Sequence, residues 1–265
     1  MSTISDSYNR FRAFIDDFAN SSTSSVTITS CQAVNREAWY AEWDDNYMGD
    51  LIGNNLVKSV LRRVADTYYN TQIDEIIEES TELTADTFPK LFEIYTSCCE
   101  TLGMAIAPQT YVTTRMKGIN ALSLEVKGKP YVLISPQVAI LLTESEQSFL
   151  VGHELGHHQQ GNLVCHTVNG LLDTFGNVSD IIGPILIDTI EVPLRGWCRC
   201  SEFNADRAGY LCCKDSDAIL RLFQRLGMHS PLSAYAQYHE VSCSHPLLPT
   251  RWGALQEYIR RNQFK

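Results

Sequence analysis

The amino-acid sequence of 265 residues predicts an α+β fold that is mainly helical and contains a small β-sheet. Apolar residues recur at helical spacing in several segments, of which 87–104 is the clearest. Residues 119–135 alternate between apolar and polar positions around a turn, as a β-hairpin does. A third segment, 143–162, has the residues that begin and end a long helix. These segments predict a short sheet within a largely helical domain.

The chain divides into two predicted parts. Residues 1–85 are polar and acidic with helix-like runs, and we interpret them as a helical N-terminal extension. Residues 86–265 contain the three segments named above and form the predicted main domain. Hydrophobic residues make up 44% of the chain and charged residues 20%, which is typical of soluble globular proteins.

Charge and composition exclude several classes of partner and location. The formal net charge of -10, without a basic stripe to offset it, argues against a nucleic-acid partner. The N-terminus carries Asp6, Asp16 and Asp17 and lacks the apolar run of a secretory signal. The nine cysteines have no regular spacing, which favours reduced thiols. We therefore expect a cytoplasmic protein.

Local signals define the first elements of the main domain. The segment 87–104 is expected to form a helix that stops at Gly103, with its paired cysteines packed inside. The sequence "KGKP" supplies the turn between the two strands of the hairpin. Ser135 is expected to cap a short helix whose first residue is Pro136.

A longer helix is predicted over the segment "TESEQSFLVGHELGHHQQGN". Thr143 and Glu146 form a capping box at its start, and Gly161 fits its end. Because an α-helix has 3.6 residues per turn, His153 and His157 lie on the same face. The "HELGH" motif is therefore expected on a regular helix.

The spacing of these two histidines indicates a metal site. Both imidazoles can reach one zinc ion, whereas Glu154 is rotated by about 100 degrees and can reach a water that the metal activates. The alternative is a pair of surface histidines. The position of the motif within a capped helix favours zinc.

A catalytic zinc ion needs a third protein ligand. The segment "CSEFNADRAGYLCC" is expected to form a helix with Ser201 as a cap, on which Glu202 and Asp206 share a face. Glu202 can bind the metal while Asp206 supports a ligand histidine. The alternative is a solvated acidic face paired with Arg207 or Lys214. The upstream histidines favour the metal site.

Four cysteines near this helix raise the alternative of a second zinc site. Their spacing matches no standard zinc knuckle, so we expect packed thiols instead. The four residues are Cys198, Cys200, Cys212 and Cys213.

Six segments then occur in an order that is typical of one known family: "LGMAIAPQTYVTT", "INALSL", "YVLIS", "GHELGHHQQGN", "SEFNADRAG" and "SHPLLPTRWGAL". With these segments the sequence resembles the M48 peptidase family, whose members are gluzincins. The resemblance implies a zincin-like peptidase domain with an HExxH active-site helix and one zinc ion per chain. It implies Glu154 as catalytic base and Asp206 as support for a ligand. The implied zinc ligands are His153, His157 and Glu202.

The resemblance also implies roles for residues of the substrate cleft. The strand around Asn120 and Ala121 is expected to pair with an extended substrate by strand addition. His245, in the "HP" segment, is expected to help to stabilise the oxyanion of the reaction. Arg251, which follows it, is expected to contact the substrate.

The sequence departs from membrane-embedded relatives between the second histidine and the glutamate, where those relatives insert transmembrane helices. Residues 163–197 are apolar here but are interrupted by Asp, Gly and Pro. We expect helices that shield the cleft and no transmembrane segment. Peripheral contact with a membrane is left as an alternative.

The predicted function is that of a zinc-dependent endopeptidase, which cleaves peptide or protein substrates with a metal-activated water and Glu154 as general base. The alternative is a non-catalytic or latent zinc-binding interaction module. The presence of Glu154 favours the enzyme, because a structural zinc site needs no base. The sequence predicts no oligomeric state.

Overall fold

The computed structural model describes residues 70–160, 163, 201–228 and 246–262. The described residues are mainly helical and include a small sheet, which confirms the predicted α+β class. In chain order the elements are α1 (Asn70–Glu78), β1 (Thr81–Glu82), α2 (Pro89–Thr101), β2 (Gln109–Val112), β3 (Ala121–Val126), β4 (Lys129–Ile134), α3 (Pro136–Leu141), α4 (Glu144–Gln159), α5 (201–213), α6 (Ser216–Arg225) and α7 (Leu248–Asn262).

The four strands form one mixed sheet in the order β1-β2-β4-β3. β2 pairs with β4 in parallel, whereas β1 with β2 and β3 with β4 are antiparallel. The predicted hairpin is confirmed as β3 and β4. Its two turn residues, Lys127 and Gly128, have φ values of 54° and 71°. Two consecutive residues with positive φ form a turn whose twist matches that of the two strands it connects.

Helices cover both faces of the sheet. Val132 and Ile134 of β4 pack with α2 and α4 on one face. On the other face, Leu124 and Leu133 pack with Ile73 of α1. The α1 helix lies within the predicted N-terminal extension, so this part of the extension belongs to the packed core. Residues 1–69 lie outside the described residues, and the predicted division at residue 85 stays a prediction.

The α2 helix stops as predicted, and α3 begins with Pro136 after Ser135 as predicted, but the Ser135 side chain does not cap it. α2 has Pro89 in its first turn, and Gly103 follows its end with a φ of 63°. Ser135 occupies the N-cap position of α3, but its hydroxyl makes no hydrogen bond to the first turn of the helix. Instead, its hydroxyl accepts a hydrogen bond of 3.1 Å from the backbone N–H of Asn120. Ser135 therefore ties the residue before β3 to the end of β4.

The capping box of α4 is confirmed. The Thr143 hydroxyl accepts from the N–H of Glu146, and the Glu146 carboxylate accepts from the N–H of Thr143 at 2.8 Å. Glu146 is fully buried, and its second oxygen lies 3.6 Å from Nε of Arg225 in α6. The start of α4 is thus anchored to α6 as well as capped. Gly161, the predicted stop, lies outside the described residues.

Cys98, Cys99, Cys212 and Cys213 are free thiols on α2 and α5. Burial raises the pKa of Cys99 and of Cys213 to about 11, so both remain protonated near neutral pH. They fit the prediction of packed thiols, while Cys198 and Cys200 lie outside the described residues. Within the described ranges, no helix is both long and apolar enough to cross a membrane.

Candidate metal centre and active site

Small residues bring α4 and α5 into close contact. A Cβ atom added at Gly156 would lie 2.8 Å from Cβ of Ala208 and 3.1 Å from Cα of Ala205. A Cβ added at Gly152 would lie 2.6 Å from Sγ of Cys212. These separations are shorter than carbon and sulfur atoms tolerate, so only glycine permits this approach. The two helices therefore meet along what we call the α4–α5 seam.

The seam lies beside three predicted metal ligands. His153 and His157 project from α4, and Glu202 projects from α5. All three residues are buried, and their potential ligand atoms lie within 4.8 Å of one another. Among the described residues, no other group of histidine, cysteine and acidic side chains converges in this way. We refer to this group as the ligand triad.

The spacing of the ligand triad fits a tetrahedral metal ion. Nε2 of His153 lies 3.1 Å from Nε2 of His157 and 3.5 Å from the nearer oxygen of Glu202. The other carboxylate oxygen of Glu202, Oε1, lies 3.3 Å from Nε2 of His157. Tetrahedral zinc with bonds of about 2.0 to 2.1 Å separates its ligand atoms by about 3.3 Å. Two imidazoles and one carboxylate also form a donor set that zinc prefers.

Asp206 sets the orientation of one of these imidazoles. Its Oδ1 lies 3.0 Å from Nδ1 of His153. A proton held between these two atoms leaves the lone pair of Nε2 directed towards the triad. Both residues are buried, so the contact is shielded from water. This is the supporting position that the sequence predicts for Asp206.

Arg251 of α7 joins Asp206 and Glu202. Its guanidinium donates to the two carboxylate oxygens of Asp206 at 2.8 and 2.5 Å. A third nitrogen lies 3.0 Å from a carboxylate oxygen of Glu202. The guanidinium also lies over the Phe223 ring, 5.3 Å from its centroid. These contacts place Arg251 beside the triad, where it holds two acidic groups, while the substrate contact predicted for it stays a prediction.

The charges of this group shift the pKa values of its members. Burial disfavours the charged form of Arg251, but the negative charges of Asp206 and Glu202 outweigh burial and raise the pKa of the guanidinium. Burial likewise opposes ionisation of Asp206, but Arg251 holds the pKa of that carboxyl below its usual range. The site contains three carboxylates, Glu154, Glu202 and Asp206, and one guanidinium, Arg251. With all four groups charged, the net charge of the site is −2. A divalent cation would balance this charge.

Glu154 lies next to the triad but is not part of it. It is 6% exposed, and its Oε2 accepts a hydrogen bond of 2.7 Å from the hydroxyl of Ser123 in β3. The same hydroxyl lies 2.9 Å from the backbone carbonyl of Glu154. Ser123 is not among the residues predicted for the site, although the alternation along β3 puts every second residue on the α4 side. The seam was not predicted either, despite the four-residue spacing of Gly152 and Gly156.

The other predicted residues are distributed as follows. Asn120 is exposed directly before β3, and Ala121 is the first residue of that strand, paired with Ile134 of β4. Within the described residues, β3 has a strand partner on one side only, so Ala121 lies on a free sheet edge. The substrate roles of both residues stay predictions. His245 lies outside the described residues.

Comparisons with known proteins identify the family. Residues 85–259, more than half of the chain, match Peptidase family M48. The chain is also similar to the plastoglobule-localized metallopeptidase 48, chloroplastic, of Arabidopsis thaliana, with 26% identity over 187 aligned residues. That alignment covers 60% of this chain and 54% of the relative, so the chain spans about half the length of the relative. The match confirms the resemblance that the six segments predict: this chain belongs to peptidase family M48, a family of metalloproteases, and its mainly helical domain with a small sheet is zincin-like.

Proposed function

We propose that this protein is a zinc-dependent endopeptidase. The observation that carries the proposal is the convergence of His153, His157 and Glu202 within 4.8 Å, with Glu154 directly after His153 on the same helix. A structural zinc site would have four protein ligands and no need for a base. Three ligands with an adjacent carboxylate are instead typical of a hydrolytic site.

Each residue of the site has a separate role in the proposed hydrolysis of a peptide bond. The triad would hold zinc, which when bound supplies a Lewis acid for the scissile carbonyl and makes a nearby water more acidic. Glu154 takes a proton from the attacking water while the water oxygen bonds to the carbonyl carbon. Glu154 then gives that proton to the amide nitrogen as the C–N bond breaks. Asp206 and Arg251 keep the ligands in place throughout.

The substrate is an extended peptide segment. β3 borders the site, since Ser123 contacts Glu154, and the free edge of this strand offers backbone groups to a peptide. Asn120 and Ala121 would begin this pairing. An edge that binds peptide backbone on both sides of the cleaved bond suits cleavage within a chain. The cytoplasmic location stays a prediction, because the name of the relative places only that protein in plastoglobules.

The experiment compares metal content and peptide cleavage in matched variants. Zinc per chain is measured by mass spectrometry for the wild type, His157→Ala, Glu202→Gln and Glu154→Gln, and cleavage is measured on an unfolded protein. We expect one zinc ion in the wild type, much less in the two ligand variants, and chelator-sensitive cleavage. Glu154→Gln should keep zinc and lose at least about 100-fold in kcat, because the proton acceptor is removed.

Glu144→Gln is the control for this experiment. Glu144 is an exposed carboxylate in the first turn of α4, and its loss should leave kcat unchanged. A Glu154→Gln variant with wild-type activity would contradict the proposed base. Zinc without any cleavage by the wild type would favour the latent or non-catalytic zinc module.

A further inference from the structure

We propose that Ser123 is a positioning residue for Glu154 in peptide hydrolysis, an inference that rests on the proposed function. Ser123 lies on β3 and is 2% exposed. Its hydroxyl contacts the side chain and the backbone carbonyl of the same residue, at 2.7 and 2.9 Å. Among the described residues, the Glu154 carboxylate accepts no other hydrogen bond.

The strand fixes where the Ser123 hydroxyl points. Ser123 is paired with Val132 in the centre of the β3–β4 ladder, so its side chain lies on the sheet face that packs against α4. Its neighbours Leu122 and Leu124 pack into the core on the opposite face. A rotation of the strand would expose these leucines, because side chains alternate between the faces. The hydroxyl is therefore held in place by the packing of the sheet.

The hydroxyl restricts a torsion that packing leaves loose. The last torsion of a glutamate side chain has broad, roughly two-fold preferences, so a carboxylate can turn between several orientations. A hydroxyl that donates to one oxygen of an ionised carboxylate makes a short, strong hydrogen bond. With Oε2 engaged by Ser123, the other oxygen is left to accept the proton of the attacking water. Ser123 neither takes up nor releases a proton in this step.

A purely structural role makes a different prediction. If Ser123 only satisfies a buried polar group, its removal should lower stability and leave the rate of the folded enzyme unchanged. If it orients Glu154, the loss should appear in kcat and not in KM, because peptide binding to the edge of β3 is unaffected. Orientation effects on this scale typically cost a factor of ten or more.

The test uses the full chain loaded with zinc and an internally quenched peptide that the wild type cleaves. Ser123→Ala should lower kcat by about tenfold, with KM and zinc content unchanged. Ser123→Thr keeps a hydroxyl on a strand position and should restore kcat to within a few fold of the wild type. The control, Ser148→Ala, removes a hydroxyl on α4 that donates to the carbonyl of Glu144 within the same helix, and kcat should not change.

A second readout does not depend on cleavage. Infrared difference spectra of the metal-free protein, with Glu154→Gln used to assign the carboxylate band of Glu154, should show that band shifted in Ser123→Ala.

A folded, zinc-loaded Ser123→Ala with wild-type kcat would overturn the proposal. If that variant loses its fold or its zinc, Ser123→Cys is measured instead, because it keeps the volume of the side chain with a weaker donor. A folded, zinc-loaded Ser123→Cys with wild-type kcat would likewise overturn the proposal. A wild type that cleaves no peptide would contradict the proposed function instead. The infrared band of Glu154 would still report its contact with Ser123.

Discussion

The two sides of α4 hold the candidate site by different means. On the side of α5, small residues let the helix backbones meet, and a buried group of acidic side chains with Arg251 surrounds the ligand triad. On the side of β3, one hydroxyl reaches Glu154. Within the part of the chain that the structure describes, the metal ligands thus depend on helix packing and buried charge, whereas the base depends on the hydrogen bond from Ser123. Substitutions on the α5 side should therefore lower both stability and zinc binding. Substitutions on the β3 side should instead lower the rate of peptide cleavage.

The largest effect is expected from the buried cation of the α5 side. Arg251→Met leaves Asp206 and Glu202 buried without their positive partner. Removal of one member of a buried ion pair typically costs about 3 to 5 kcal/mol of stability. Urea unfolding of the metal-free protein should show a loss of this size, together with weaker zinc binding in competition with a chelator.

Arg260→Met is the control for Arg251. Arg260 pairs with Glu257 on α7, but its side chain is 71% exposed. Exposed pairs contribute about 0 to 1 kcal/mol, so its unfolding curve should nearly match that of the wild type. Equal effects of the two substitutions would mean that burial does not distinguish these ion pairs.

A smaller effect is expected from closing the α4–α5 seam. Gly156→Ala places a methyl group 2.8 Å from Cβ of Ala208, so the helices must separate. Overpacking of this kind costs about 1 to 3 kcal/mol, and the displacement of Glu202 from the histidines should weaken zinc binding. Both quantities are measured as for Arg251.

Gly253→Ala provides the matched comparison for the seam. Gly253 lies within α7, and a Cβ atom there would meet nothing within 4 Å. Alanine in a helix interior should stabilise the protein by about 0.5 to 1 kcal/mol relative to glycine. A destabilised Gly253→Ala, or a Gly156→Ala variant with wild-type stability and zinc affinity, would count against the role given to the seam.

The smallest effect is expected on the β3 side. Ser135→Ala removes the acceptor of the Asn120 N–H and should cost about 1 kcal/mol. Since this bond fixes the chain where β3 begins, KM should rise while zinc content stays constant. Thr96→Ala, which removes an exposed hydroxyl bonded within α2, is the control. A loss of zinc in Ser135→Ala would show that the two sides of α4 are not independent.

Local signals made part of this arrangement predictable. The capping box of Thr143 and Glu146, the turn at Lys127 and Gly128, and the helical spacing of the histidines involve residues within a few positions of one another. Such signals act before the chain is folded, and the structure agrees with them.

Contacts between distant segments were not predictable in the same way. Ser135 has the residue type of a helix cap, but its hydroxyl is engaged by Asn120, fifteen positions earlier in the chain. Arg251 reaches Asp206 across 45 positions, and Ser123 reaches Glu154 across 31. No periodicity in the sequence indicates which acidic group an arginine will meet. These partners follow from the packing of the sheet and of α7 around α4.

The α4–α5 seam also limits the paths by which this chain can change. At Gly152, the space for a side chain is already occupied by Cβ and Sγ of Cys212, at 2.8 and 2.6 Å from the added atom. A methyl group can enter position 152 only if position 212 gives up its side chain, and the backbone at Gly209, whose Cα lies 3.1 Å from the added atom, must also shift slightly. A side chain at position 152 therefore depends on a prior substitution at position 212. Positions 60 residues apart are therefore coupled in the variation that the fold accepts. An engineered substitution at position 152 should therefore begin with Cys212→Gly.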